Sequence, residues 1–285
     1  MENYAVTELI EAFEVSRSGY YAWRDRPPCD REVENAQIAE RIREIHTHKF
    51  KRAYGSPRLA DDLRDLGYGC SENRVARIMK TEGLRAKHKR PFRPKTTTPD
   101  ASAKFSPNAL KDAPTPSRPG QQAASDITYV STAEGWLYLS VVIDLYSKKI
   151  IGWELGESMH ASLVARSVAK ASRHLDSHAL FHSDRGCQYT STQIRSQIAS
   201  LGLSQSMSAR GNCYDNATCE SFFASLKAEA FPDGGRFDSK HHAKLTIFEY
   251  LETFYNRSRR HSSLGNISPE QFLEQHSLNQ NQQLN

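Results

Sequence analysis

The sequence contains no apolar run approaching the roughly 18 residues that cross a bilayer, which argues against a helical membrane protein. Its opening, MENYAVTELIEAFEV, places acids where a secretory signal needs a basic start and an unbroken apolar stretch. Five cysteines (Cys29, Cys70, Cys187, Cys213, Cys219) are odd in number, widely scattered and never spaced as C-x-x-C. Neither a disulfide framework nor a zinc knuckle is signalled, and the expected compartment is the cytoplasm. Acid is missing altogether from LRAKHKRPFRPK, residues 84–95, which holds six Lys or Arg.

The chain's 285 residues suffice for about two domains, and 38% hydrophobic residues suffice for a core. A net charge of +5 is mild, but its concentration in the stretch above suggests contact with a polyanion. Near the N-terminus, Leu9, Ile10 and Phe13, then Ser16 and Tyr20, Tyr21 and Trp23, predict two short helices, the second capped by Ser16. A longer helix is expected from about Asp30 to His48. Another follows through Leu59, Leu63 and Leu66, stopping at Gly67-Tyr68-Gly69. Ser71 caps a further one through Val75, Ile78 and Met79. Residues 1–28 thus read as a small helix-turn-helix-like segment and 29–86 as a helix-turn-helix-like DNA-binding region. Residues 87–120 read as a basic, Pro-rich linker.

Beyond residue 120 the pattern becomes that of strands. DITYV, WLYLSVVID and KIIGWEL form a three-strand meander. A helix follows at about 161–175, then a short strand ALFH, a helix near 191–201, the helix NATCESFFASLKAEAF, and a last helix from about Lys240 to Asn256. The fold class expected is α/β: an RNase H-like mixed sheet with flanking helices over 121–275, preceded by an all-α region. The tail, residues 276–285, reads as disordered. This order sets Asp126 on the first strand, Asp184 just after the fourth and Glu220 on a helix, and the three converge only if the sheet is folded as in RNase H. Phosphodiester chemistry by two Mg²⁺ ions about 3.5–4 Å apart needs such hard carboxylate oxygens on separate rigid elements. Asp144 competes with Asp126, since it too ends an apolar strand, but an Asp at the mouth of a turn has a local explanation. His182 shares a strand face with Asp184 and reads as a hydrogen-bonding support. Asn216, Glu220 and Lys227 fall on one helix face, so Lys227 is placed to reach a DNA phosphate.

The segments VSRSGYYAW (15–23), YGSPRL (54–59), RVARIMKTEGL (74–84), DITYV (126–130), YLSVVIDLYS (138–147), HSDRGCQY (182–189), RGNCYDNATCESFFASLK (210–227) and FYNRSRRHSSLG (254–265) together resemble the OrfB transposases of the insertion-sequence-three family. That family is related in its catalytic core to retroviral integrases. The resemblance covers nearly everything before the tail, including the 35 residues between Asp184 and Glu220. It implies that Asp126, Asp184 and Glu220 are the catalytic metal ligands for two Mg²⁺, with Mn²⁺ able to substitute. It implies DNA as partner, both element ends and target, a homo-oligomer on DNA, and an upstream-frame DNA-binding protein or its frameshift fusion. Expected DNA contacts are Lys227, Asn216, Arg210, Lys87, Lys89, Arg90, Arg93, Arg257 and Arg260, at the nucleoid of a bacterial cytoplasm. Ala124 stands where the family usually has Trp, and Asn266 where an aromatic is common. Two alternatives stay open: a non-catalytic DNA-binding regulator or drifted copy, and a hydrolytic nuclease of the same fold.

Overall fold

The computed structural model describes residues 5–87, 105–208 and 216–283. Ser16 caps α2 (Arg17–Arg24) by accepting from Gly19 N–H at 3.0 Å, and α1 (Val6–Ala12) precedes it; neither helix has a buried residue. Three longer helices follow: α3 (Asp30–Thr47), α4 (Ser56–Asp65) and α5 (Glu72–Thr81), the last capped by Ser71. Their inward residues Ile38, Ile42, Leu59, Leu63, Val75 and Ile78 pack together, as the helical spacing predicts.

The second region is a five-stranded sheet in the order β3-β2-β1-β4-β5. Strands β1 (Gln122–Thr132), β2 (Gly135–Asp144) and β3 (Ile150–Gly156) pair antiparallel, and β4 (Leu180–Ser183) and β5 (Ser204–Met207) add in parallel. A meander followed by two parallel strands on the β1 side is the RNase H-like order expected. One face is covered by α6 (Ala161–Ala171) and α8 (Thr192–Ser200), with the short α7 (Cys187–Thr190) nearby. Here α6 approaches closely: a Cβ at Gly152 would lie 2.3 Å from the Ser167 carbonyl oxygen, so only glycine fits. The other face is covered by α9 (Ala217–Glu229) and α10 (Lys240–Glu249), the latter running into a π-helical turn, Tyr250–Tyr255.

The helical region and the sheet are not separate cores. Phe50 meets Tyr250 edge to face and Phe254 at a tilt, both at 5.3 Å between ring centroids, and one apolar cluster runs from α3–α5 through the π turn to α9 and the sheet. Polar bonds follow the same seam: Arg58 to Glu229, Arg260 to Asp62 and Asp65, and the Arg260 amide to the Tyr54 hydroxyl.

Several expectations need correction. The tail is not disordered over its described part, because α11 spans Pro269–Gln283, anchored by Phe272 and His276 on the Tyr146 ring. It also follows the helix expected to be last, which ends in the π turn rather than continuing as α-helix to Asn256. The C-terminal half of the expected linker braces the sheet: Leu110 N–H donates to Ser206 Oγ at 3.1 Å and Met207 N–H to the Pro107 carbonyl at 3.3 Å.

Candidate active site

Parallel pairing of β1 and β4 ends at Ser125↔Ser183, so the next residues out, Asp126 and Asp184, fall side by side where the parallel strands end. Adjacent strands lie about 4.8 Å apart, and this edge is where open sheets with helices on both faces present their ligand crevice. Strand alternation sends Ala124 and Asp126, and likewise His182 and Asp184, to the face that α9 covers. Cys219, Phe222, Phe223 and Leu226 bury one side of α9 there, while Glu220, in its first turn, stays exposed.

Burial, then the neighbouring Asp184 and Glu220, push the Asp126 carboxyl up to about 8. The Ile127 amide, donating to its Oδ1 at 2.7 Å, and the Lys227 ammonium oppose this. Burial also raises Asp184, against a 2.9 Å bond from the Gly186 amide. A Cβ at Gly186 would come within 3.0 Å of that same Oδ1, so the missing side chain leaves the carboxylate its place. Burial lowers the Lys227 ammonium from the usual lysine value, and Asp126 works the other way. The Tyr189 hydroxyl, buried beneath the acids, is bonded to Ser125 Oγ at 2.8 Å.

Two hard carboxylates that penalise each other's charge fit a divalent cation, which would relieve both the burial and the repulsion. Among the described residues no three His, Cys, Asp or Glu side chains stand close enough to hold one ion. Asp144 has the other task foreseen for it. It is 1% exposed, accepts from Gly120 N–H and from the Ser147 amide and hydroxyl, and closes the β2–β3 turn. His182 is a support: its ring nitrogens meet Ser206 Oγ at 2.9 Å and Ser208 Oγ at 3.1 Å.

Of the residues expected to touch DNA, Lys227 lies beside the acids, and Asn216 is the buried N-cap of α9, its Oδ1 without a partner among the described residues. Arg257 is largely exposed and Lys87 donates to the Phe231 carbonyl at 2.6 Å. Arg260 is instead held by Asp62, Asp65 and the Asn266 carbonyl, because the helical region docks on it. Arg210, Lys89, Arg90 and Arg93 lie outside the described residues. The sequence reading missed Gly186, Ser206 and Ser208, although HSDRG and the Ser-x-Ser of residues 206–208 carried a signal. It also missed the buried Glu229–Arg259 pair, which no spacing reveals.

A family model described as "Integrase core domain" matches residues 116–213 and a second with that description matches 201–269; one described as "HTH-like domain" matches 32–92. The first spans Asp126 and Asp184, the second Glu220, and the third α3–α5. The "Insertion element IS600 uncharacterized 31 kDa protein" of Shigella sonnei is 40% identical over 270 residues, covering 94% of this chain and 98% of that protein. "Transposase InsF for insertion sequence IS3A" of Escherichia coli K12 is 40% identical over 272 residues, 94% of each chain. A chain of the simian T-cell lymphotropic virus intasome is similar at 14% identity and TM-score 0.45, over 83% of this chain and 74% of that one. Identity of 40% along nearly the whole of these relatives, with integrase-core matches lying over the three acids, makes this chain a member of the IS3 family of insertion-sequence transposases.

Proposed function

We propose that this chain is a polynucleotidyl transferase that cuts and joins DNA with Asp126, Asp184 and Glu220 as its metal-holding acids. The observation that carries the reading is the side-by-side placement of Asp126 and Asp184 where the parallel strands end, on the face that α9 covers with Glu220 in its first turn. Members of the integrase core family use divalent metal ions, and the hard donor set here suits two Mg²⁺, with Mn²⁺ able to substitute. Bound there, the metal would polarise water or a DNA 3′-hydroxyl and stabilise the leaving oxygen of the phosphodiester. Lys227 would pair with a DNA phosphate beside the acids, and Asn216 and Arg210 would position the strand.

The helix-turn-helix-like and integrase regions imply DNA as the partner, here element ends and target. The working form would be a homo-oligomer on DNA, joined by an upstream-frame DNA-binding protein or its frameshift fusion, at the nucleoid of a bacterial cytoplasm.

The test is metal-dependent cleavage and joining of element-end DNA by full-length variants. Asp126→Asn, Asp184→Asn and Glu220→Gln are each expected to lower both activities at least about 10³-fold while the fold persists, since each removes an anionic ligand at nearly constant volume. Asp144→Asn, which weakens the contacts with Ser147 and Gly120, should cost about 1–2 kcal/mol of stability and keep the chemistry. Near wild-type cleavage by any one of the three triad variants removes that residue from the site. Cleavage without products longer than the substrate would point to a nuclease, and binding without cleavage to a regulator.

A further inference from the structure

The seam between α4 and α9 holds an open cleft of about 360 Å³, lined by Ala53, Arg58, Lys87, Ser225, Ala228, Glu229 and Arg259. Its charge is not balanced. Glu229, 6% exposed, receives two bonds from Arg259, at 2.7 and 2.9 Å, one from Arg58 at 3.2 Å and one from the Tyr250 hydroxyl at 2.8 Å. One carboxylate therefore serves two guanidiniums, and Arg259 is itself 4% exposed. Lys87 adds a third cation, and among the described residues it is paired with the mostly exposed Asp233 at 3.2 Å. His261 adjoins Arg259, and burial, then Arg259 and Arg58, push its imidazole down to about 3.

The cleft lies on the helix that carries Glu220. At about 1.5 Å per residue, Ser225 and Glu229 sit about 7.5 and 13.5 Å along the axis from Glu220. Ser221, Ser225 and Ala228 share one flank of α9 leading from that turn to the cleft. A duplex strand following α9 would bring up a phosphate about every 3.4 Å along its axis.

We propose that this cleft binds a backbone phosphate of the DNA, about two to four nucleotides from the cut, held by Arg58 and Lys87 over the buried charge of Arg259, between the helix-turn-helix-like region and the catalytic helix. The inference takes from the proposed function that the cut is made beside Glu220. Its test reads binding alone, so a chain that binds without cutting would overturn that function and leave the cleft's occupancy measurable.

The experiment measures affinity of the full chain for element-end duplex DNA in which single phosphates near the end are replaced, one at a time, by neutral methylphosphonates. For the wild type, one or two adjacent replacements should weaken binding about fivefold or more. In Arg58→Gln and Ser225→Glu the same positions should no longer matter, and the log-log salt slope should fall by about one. Arg259 still pairs with Glu229 in both variants, and circular dichroism and thermal melting check that both fold. Wild-type sensitivity at every position in both variants would overturn the proposal, as would a uniform affinity loss that tracks lowered thermal stability. Protection of the cleft by inorganic phosphate, with no methylphosphonate position mattering, would assign it to a small anion instead and overturn it equally.

Discussion

Asp126 carries a penalty in the metal-free protein. Its folded-state carboxyl titrates near 8 against about 3.9 in an unfolded chain, so between those values the unfolded state gives up a proton that the folded state keeps. Stability from this group is intact below about pH 4 and declines as pH rises toward 8. Asp126→Asn removes the titration. Without metal it should therefore melt higher than wild type at pH 8, by on the order of 2 kcal/mol after allowing for solvent at a part-buried side chain, with the gap closing toward pH 4. Equal melting curves across that range would show the carboxyl to be unstrained. Lys227 differs, because an ammonium cannot ligate metal but can pair with a phosphate. Lys227→Ala should weaken DNA binding and lower the salt slope by about one, while calorimetry shows metal binding retained. An unchanged slope at wild-type affinity would turn Lys227 away from DNA and toward Asp126 alone.

At the scale of elements, what was legible in the sequence was what local pattern encodes. The meander showed through its alternation, α4 and α5 through their caps and leucine spacing, and the acids through the strand, strand end and helix that carry them. The fifth strand did not show, since Ser204–Met207 reads SQSM and is a strand because β4 pairs with it and His182 binds Ser206. The tail's Asn and Gln content hid α11, whose anchor is the distant Tyr146. Arg260 looked free for DNA because its partner Asp62 stands 198 residues upstream. That pairing has a measurable consequence. Arg260→Ala leaves the buried Asp62 with Lys51 alone, so it should cost about 2–4 kcal/mol in denaturant unfolding and leave the salt slope of DNA binding unchanged. A lowered slope with little lost stability would return Arg260 to the DNA.

For the whole molecule, the common core of α3–α5, the π turn and α9 decides how the chain can be divided. A fragment from about Gln121 would be expected, on the linker reading, to keep the catalytic fold and lose only discrimination of element ends. The structure adds a cost: such a fragment uncovers Tyr250 and Phe254 and removes the segment bracing β5. It should melt well below the full chain and aggregate more readily, besides losing specificity, and differential scanning calorimetry with end-binding assays reads both. Equal melting and equal discrimination would show the two regions to be independent. The same seam governs what happens during synthesis. Phe50 and Tyr54 emerge early, yet the side chains that complete their surroundings, Tyr250, Phe254 and Arg260, come from near the other end of the chain. The helical region is therefore not finished until the ribosome has passed the last of these residues. A prematurely terminated message therefore yields a chain whose helical region lacks the partners of Phe50 and Tyr54.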